Sequence, residues 1–173
     1  MRRDRRLRPW MLALAVVATG AIGATAVFNA AAERHRADTE AIRRFERIAV
    51  PLAARASAIA AELPAVAADS VTPRDTLAAR VDAYGAELLG IRAGLLGAVT
   101  ADFLEATILD LVAAVGSTTD AVSELQTAYA GSELVDLSAS LRAARGRFEA
   151  ARAKHQRLRC RARMPSCGRP VGY

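Results

Sequence analysis

Apolar residues recur along this chain at alternating spacings of three and four, the pattern that keeps one stripe of an α-helix facing a partner. Three such stripes are regular. The first runs Ile42, Phe45, Ala49, Leu52, Ala56, Ile59, Leu63; the second Leu77, Val81, Tyr84, Leu88, Ile91, Leu95, Ala98; the last Leu134, Leu137, Leu141, Ala144, Phe148, Ala151, His155, Leu158. The last holds for more than three heptads, long enough to predict a coiled-coil-like packing surface.

Punctuation between the stripes sets the helix limits. Pro51 falls inside the first stripe, and the unbroken phase across it predicts a kink near residues 47–50 rather than an end. Residues 64–72 read as a turn. Thr72-Pro73-Arg74-Asp75 supplies a cap, a proline at the first helical position and an acid three residues after the cap. Gly97 either ends the second helix, with Thr100 capping the next, or is passed through. Residues 95–115 read as a buried amphipathic helix. Asp102, Glu105 and Asp110 disfavour a membrane span there, since each costs about 3 kcal/mol near mid-bilayer. The stretch 116–120 (Gly-Ser-Thr-Thr-Asp) predicts a break and a new cap. A short helix with Val122, Leu125 and Tyr129 follows it, ending at Gly131, and Ser132 then caps the last helix.

Ahead of these stripes lies a run of another kind. Trp10 to Phe28 carries no charge, and 19 helical residues span about 28 Å, close to the roughly 30 Å hydrocarbon core of a bilayer. Arg2, Arg3, Arg5, Arg6 and Arg8 precede it against Asp4 alone, so the positive-inside rule keeps the N-terminus in the cytoplasm and the rest of the chain outside. A cleaved signal peptide is the alternative, with small-x-small sites at residues 24–26 and 30–32 and a secreted product beginning near Glu33. Both readings export the remainder. The pairs Thr19/Gly23 and Gly20/Ala24 also suit close approach of two membrane helices, hence a homo-oligomer or another helical protein partner.

The predicted fold is therefore all-α: an N-terminal transmembrane helix followed by an elongated antiparallel bundle of three or four helices. Residues 1–9 form a basic cytoplasmic end, 10–28 a signal-anchor, 29–63 a stalk and first helix, 73–162 the bundle, and 163–173 a disulfide-closed, poorly ordered tail.

Composition agrees with helices. The chain has 173 residues, 53% of them hydrophobic but only 5% aromatic, and it is rich in Ala, Leu, Arg and Glu. Lys154 is the only lysine; that bias, with the alanine excess, points to a GC-rich, bacterial source. Charge is segregated. Residues 33–141 hold nine Arg against sixteen acids, whereas residues 142–173 hold ten basic residues against Glu149 alone. Such asymmetry bears on partners rather than fold.

Candidate chemistry is sparse. Cys160 and Cys167 lie on the exported side, and an exported pair this close suggests a disulfide. A continuous helix would hold their α-carbons about 10 Å apart, too far to bridge, so Pro165 and Gly168 must end the helix between them. Arg152, Lys154, Arg157, Arg159, Arg161 and Arg163 form the basic end. They predict contact with anionic lipid or an envelope polymer, against the plainer reading of a solvated face paired with the acidic body. Nucleic acid is disfavoured by topology and by the lack of interleaved aromatics. There is no phosphate-binding loop, nucleophile elbow or paired metal-ligand motif. No enzyme activity, cofactor or metal is expected. His155, at a stripe position, reads as a packed histidine, and His35 as a solvated one.

Overall fold

The computed structural model describes the backbone of residues 9–98, 101–131, 136–165 and 167–173, and the side chains among these from Val27 onward. The described residues form four α-helices and no strand: α1 (Pro9–Ala68), α2 (Arg74–Gly97), α3 (Asp102–Gly131) and α4 (Ser138–Arg161). The chain divides into two compact units, residues 1–39 and residues 40–173.

In the first unit, the described residues belong to α1. Val27, Phe28 and the residues up to Asp38 are exposed. By length and composition α1 is apolar enough to cross a membrane, a property found within Val27–Ala68. Most side chains of the predicted anchor, residues 10–26, and the basic residues 1–8 lie outside the described residues.

In the second unit all four helices contribute to one core. The α1 stripe buries Ile42, Phe45, Ala49, Ala56, Ile59 and Leu63 as predicted, and adds Ala53 and Val66. Leu52 is only partly buried; it packs toward α2, where a Cβ added to Gly94 would lie 2.8 Å from its Cδ1. Every predicted position of the second stripe, Leu77 to Ala98, is buried. Polar pairs fix which residues meet. Arg55 meets Glu87, and Glu62 meets Arg80, between α1 and α2. Asp82 accepts from Gln126 between α2 and α3. Ser140 donates to Glu124, and Lys154 pairs with Asp110, between α4 and α3. A Cβ on Gly85 would lie 3.6 Å from Val122, so α2 and α3, like the other two pairs, match higher numbers on one helix with lower ones on the other.

Four boundaries differ from the expectation. α1 runs through Pro64 to Ala68; a proline near a helix end removes one donor without dissolving the last turn. The predicted cap at Thr72 is not made: α2 follows Pro73, with no side-chain cap. Asp69 instead organises the turn, its Oδ1 accepting from the Val71 and Thr72 amides and its Oδ2 from the Thr72 hydroxyl. These bonds hold its carboxyl below the ordinary aspartate range.

α3 passes without a break through residues 116–120. Thr118 and Thr119 donate their hydroxyls to the carbonyls of Ala114 and Val115, four residues back, so buried polar side chains are satisfied inside the helix. α4 starts at Ser138 rather than after Ser132; Asp136 Oδ1 accepts from the Ser138 amide. Ser132 and Leu134 lie outside the described residues, as does Thr100. α2 ends at Gly97, the alternative that gives four helices.

A buried polar cluster and the basic end of α4

The last three turns of α4 meet the first core turns of α1. His155 is fully buried, at the stripe position where it was expected, and its ring stands edge-on to Phe45 with centroids 5.0 Å apart. Its Nε2 lies 3.2 Å from Glu46 Oε1. Arg159, 8% exposed, brings Nε to 3.1 Å from the same oxygen. Neither nitrogen has a hydrogen bond in that geometry, so the contacts are electrostatic. Arg159 is held further by Nη1, which donates to the Arg169 carbonyl at 3.1 Å.

Burial outweighs Glu46 in setting the charge of His155. Desolvation, with the Arg159 guanidinium adding repulsion, lowers its pKa from 6.5 to about 4. The Glu46 carboxylate is already engaged with the permanent charge of Arg159. His155 is therefore neutral at neutral pH and acts as a packing residue.

Beyond Arg161 the chain turns back. Arg163 takes a left-handed conformation at φ 51°, and the Ala162, Arg163 and Met164 amides close onto the end of α4. Cys160 and Cys167 are joined in a disulfide, with α-carbons 4.6 Å apart. The helix does end between them, at Arg161, earlier than Pro165. The tail expected to be poorly ordered instead buries Met164, Val171 and Tyr173. The Arg152 guanidinium lies 5.5 Å from the centre of the Tyr173 ring. Burial, first, and Asp110 raise the Tyr173 hydroxyl above its ordinary pKa of 10.0.

The six predicted basic residues thus separate. Arg159 is buried against Glu46, Lys154 Nζ lies 2.6 Å from Asp110 Oδ2, and Arg152 is half-buried over Tyr173. Arg157, Arg161 and Arg163 are exposed, joined by Arg169 from the tail. Pairing with the acidic body accounts for two of the six through ion pairs, and three remain open to solvent.

A second polar network lies between α1 and α2. Arg55 grips Glu87 through Nε (2.7 Å) and Nη2 (2.8 Å). Tyr84 donates to Glu62, which also faces Arg55 and Arg80. The Tyr84 hydrogen bond, first among the causes, holds the Glu62 carboxyl below its usual range. The four charged side chains are about two-fifths or more exposed, unlike the buried Tyr84, so their ion pairs orient the helices more than they stabilise them.

Sequence reasoning missed Glu46, Tyr173 and the Arg55–Glu87 pair. Glu46 directly follows a stripe residue, Phe45, which was its only signal. Among the described residues no group of His, Cys, Asp and Glu is arranged to hold a metal ion. No known protein family, curated protein or solved structure matches the chain.

Proposed function

We propose that this is a single-pass, N-in membrane protein whose exported part is an antiparallel up-down-up-down four-helix bundle with coiled-coil-like seams, serving a structural or protein-interaction role. The descending pairings between neighbouring helices support the antiparallel order: Arg55–Glu87, Asp82–Gln126 and Asp110–Lys154. In that order α4 ends at the level where α1 enters the bundle, beside Glu46.

The observation that carries the interaction reading is the exposure of Arg157, Arg161, Arg163 and Arg169 together at that end. Four exposed guanidinium groups gathered at one end suit an anionic lipid surface or an anionic envelope polymer.

Retention of the purified full chain on immobilised heparin tests this reading. The triple variant Arg157→Gln, Arg161→Gln, Arg163→Gln should elute at clearly lower salt than the parent. Equal elution would remove the anionic-partner role.

A soluble secreted binding protein is the second reading. It is favoured by one observation: among the described side chains the first fully buried one is Ile42, and residues 27–38 are exposed. Cleavage near Ala32 would leave the core intact.

A further inference from the structure

Between α1 and α4 the packing opens into a groove of about 430 Å³. On the α1 side its wall is Ser57, Ala60, Ala61 and Pro64, residues too small to reach across; on the α4 side it includes Leu141 and Phe148. A second cavity, of about 480 Å³, lies between α4 and the returning tail at Pro170 and Val171. Arg152 lines both. Volumes of this size match ordinary small-molecule sites, which are mostly apolar with a few placed polar groups.

The charges around the groove are unequal. Arg145 is paired with Glu149 at 3.2 Å, and Lys154 with Asp110 at 2.6 Å. Arg152 has no carboxylate partner among the described residues, and its Nε is buried without a hydrogen bond. Its one close partner is the Tyr173 ring, which leaves the donor edge of the guanidinium unused. An anion meeting this half-buried guanidinium satisfies its open donors through charge-assisted hydrogen bonds.

We propose that the α1–α4 groove binds a long-chain carboxylate, with the carboxylate on Arg152 and the acyl chain lying along Ala60, Ala61 and Leu141. From Arg152 to Leu141 the helix rises about 16 Å, room for an extended acyl chain. Arg145 and Arg152 against Glu149 leave one net positive charge in the lining, which favours an anionic head over a cationic one, and the apolar stretch of Ala60, Ala61, Pro64, Leu141 and Phe148 favours a chain over a free anion. This site is independent of the exposed arginines: Arg157, Arg161 and Arg163 line neither cavity.

The full chain in neutral-lipid nanodiscs, exposed to a photoactivatable palmitate and mapped by mass spectrometry, tests the proposal. Crosslinks are expected on the α1 segment around Ala60 and the α4 segment around Phe148, and a photoactivatable alkylammonium of equal length should give few there. Arg152→Gln should lower the groove crosslinks about tenfold, the loss of one charge-assisted hydrogen-bonded pair. Arg152→Lys should restore part of the yield, and Ala60→Phe should block it with the thermal transition retained. Groove labelling equal for both probes, or unchanged in Arg152→Gln, overturns the proposal; so does palmitate labelling confined to residues 10–28.

Discussion

Glu46 Oε1 lies 3.1 Å from Arg159 Nε, joining the first core turns of α1 to the last turn of α4. Arg159 is nine-tenths buried, whereas Arg157, two residues earlier, is exposed. The two should respond differently to substitution. Arg159→Ala leaves the partly buried Glu46 beside the neutral His155 and frees the Arg169 carbonyl, at a cost of about 1–3 kcal/mol, since solvent compensates only part of the stranded charge. Arg157→Ala should change stability by less than about 0.5 kcal/mol. Urea denaturation of both variants gives the comparison, and equal effects would refute the assignment.

His155 makes stability depend on acid. Its folded pKa, about 4, lies below its unfolded value of 6.5. Between those values the unfolded chain binds the extra proton, so stability rises with pH. The contribution is complete above about pH 6.5 and is lost progressively as pH falls to about 4, on the order of 3 kcal/mol in all. His155→Leu should flatten this part of the stability profile. An unchanged slope between pH 6.5 and 4 would mean that another group carries it.

Glycines inside the helices separate by what surrounds them. Around Gly90 and Gly146 an added Cβ meets nothing within 4 Å. Alanine at either exposed helical position should stabilise the protein by about 0.5–1 kcal/mol. At Gly94 the Leu52 side chain stands 2.8 Å away. Gly94→Val should therefore destabilise, because Leu52 has to move and a branched side chain crowds the α1–α2 contact. Thermal melts of the three variants read the contrast directly.

The disulfide and the tail form one device. Bridging Cys160 to Cys167 pins the turn from which Val171 and Tyr173 reach the core. Reduction should cost about 2–3 kcal/mol from the loop-closure term. It should also raise amide exchange in residues 164–173. Native protein should resist maleimide until a reductant is added; prompt labelling without one would contradict the bridge.

Much of the core was legible because burial follows helical period. Every stripe position from Leu77 to Ala98 is buried, and so are Ala144, Phe148, Ala151 and His155. The failures have a common cause: local polarity was read as an interruption. Residues 116–120 look like a break, yet within the helix the Thr118 and Thr119 hydroxyls donate to carbonyls one turn back, and Ser117 and Thr118 are buried. Pro165, Gly168 and Pro170 look like a loose end, yet they carry the chain back so that two apolar residues dock. Glu46 and Arg159 are far apart in sequence, and only the packing of α1 on α4 makes them partners. The basic end was legible as charge, but not which of its members are committed to internal pairs.

Carbonate extraction with intact-mass analysis tests membrane attachment most directly. The full chain is expected to stay in the washed membrane pellet with a mass that includes residues 1–32. A soluble product whose N-terminus lies near Glu33 would contradict it and leave the secreted helical protein in its place.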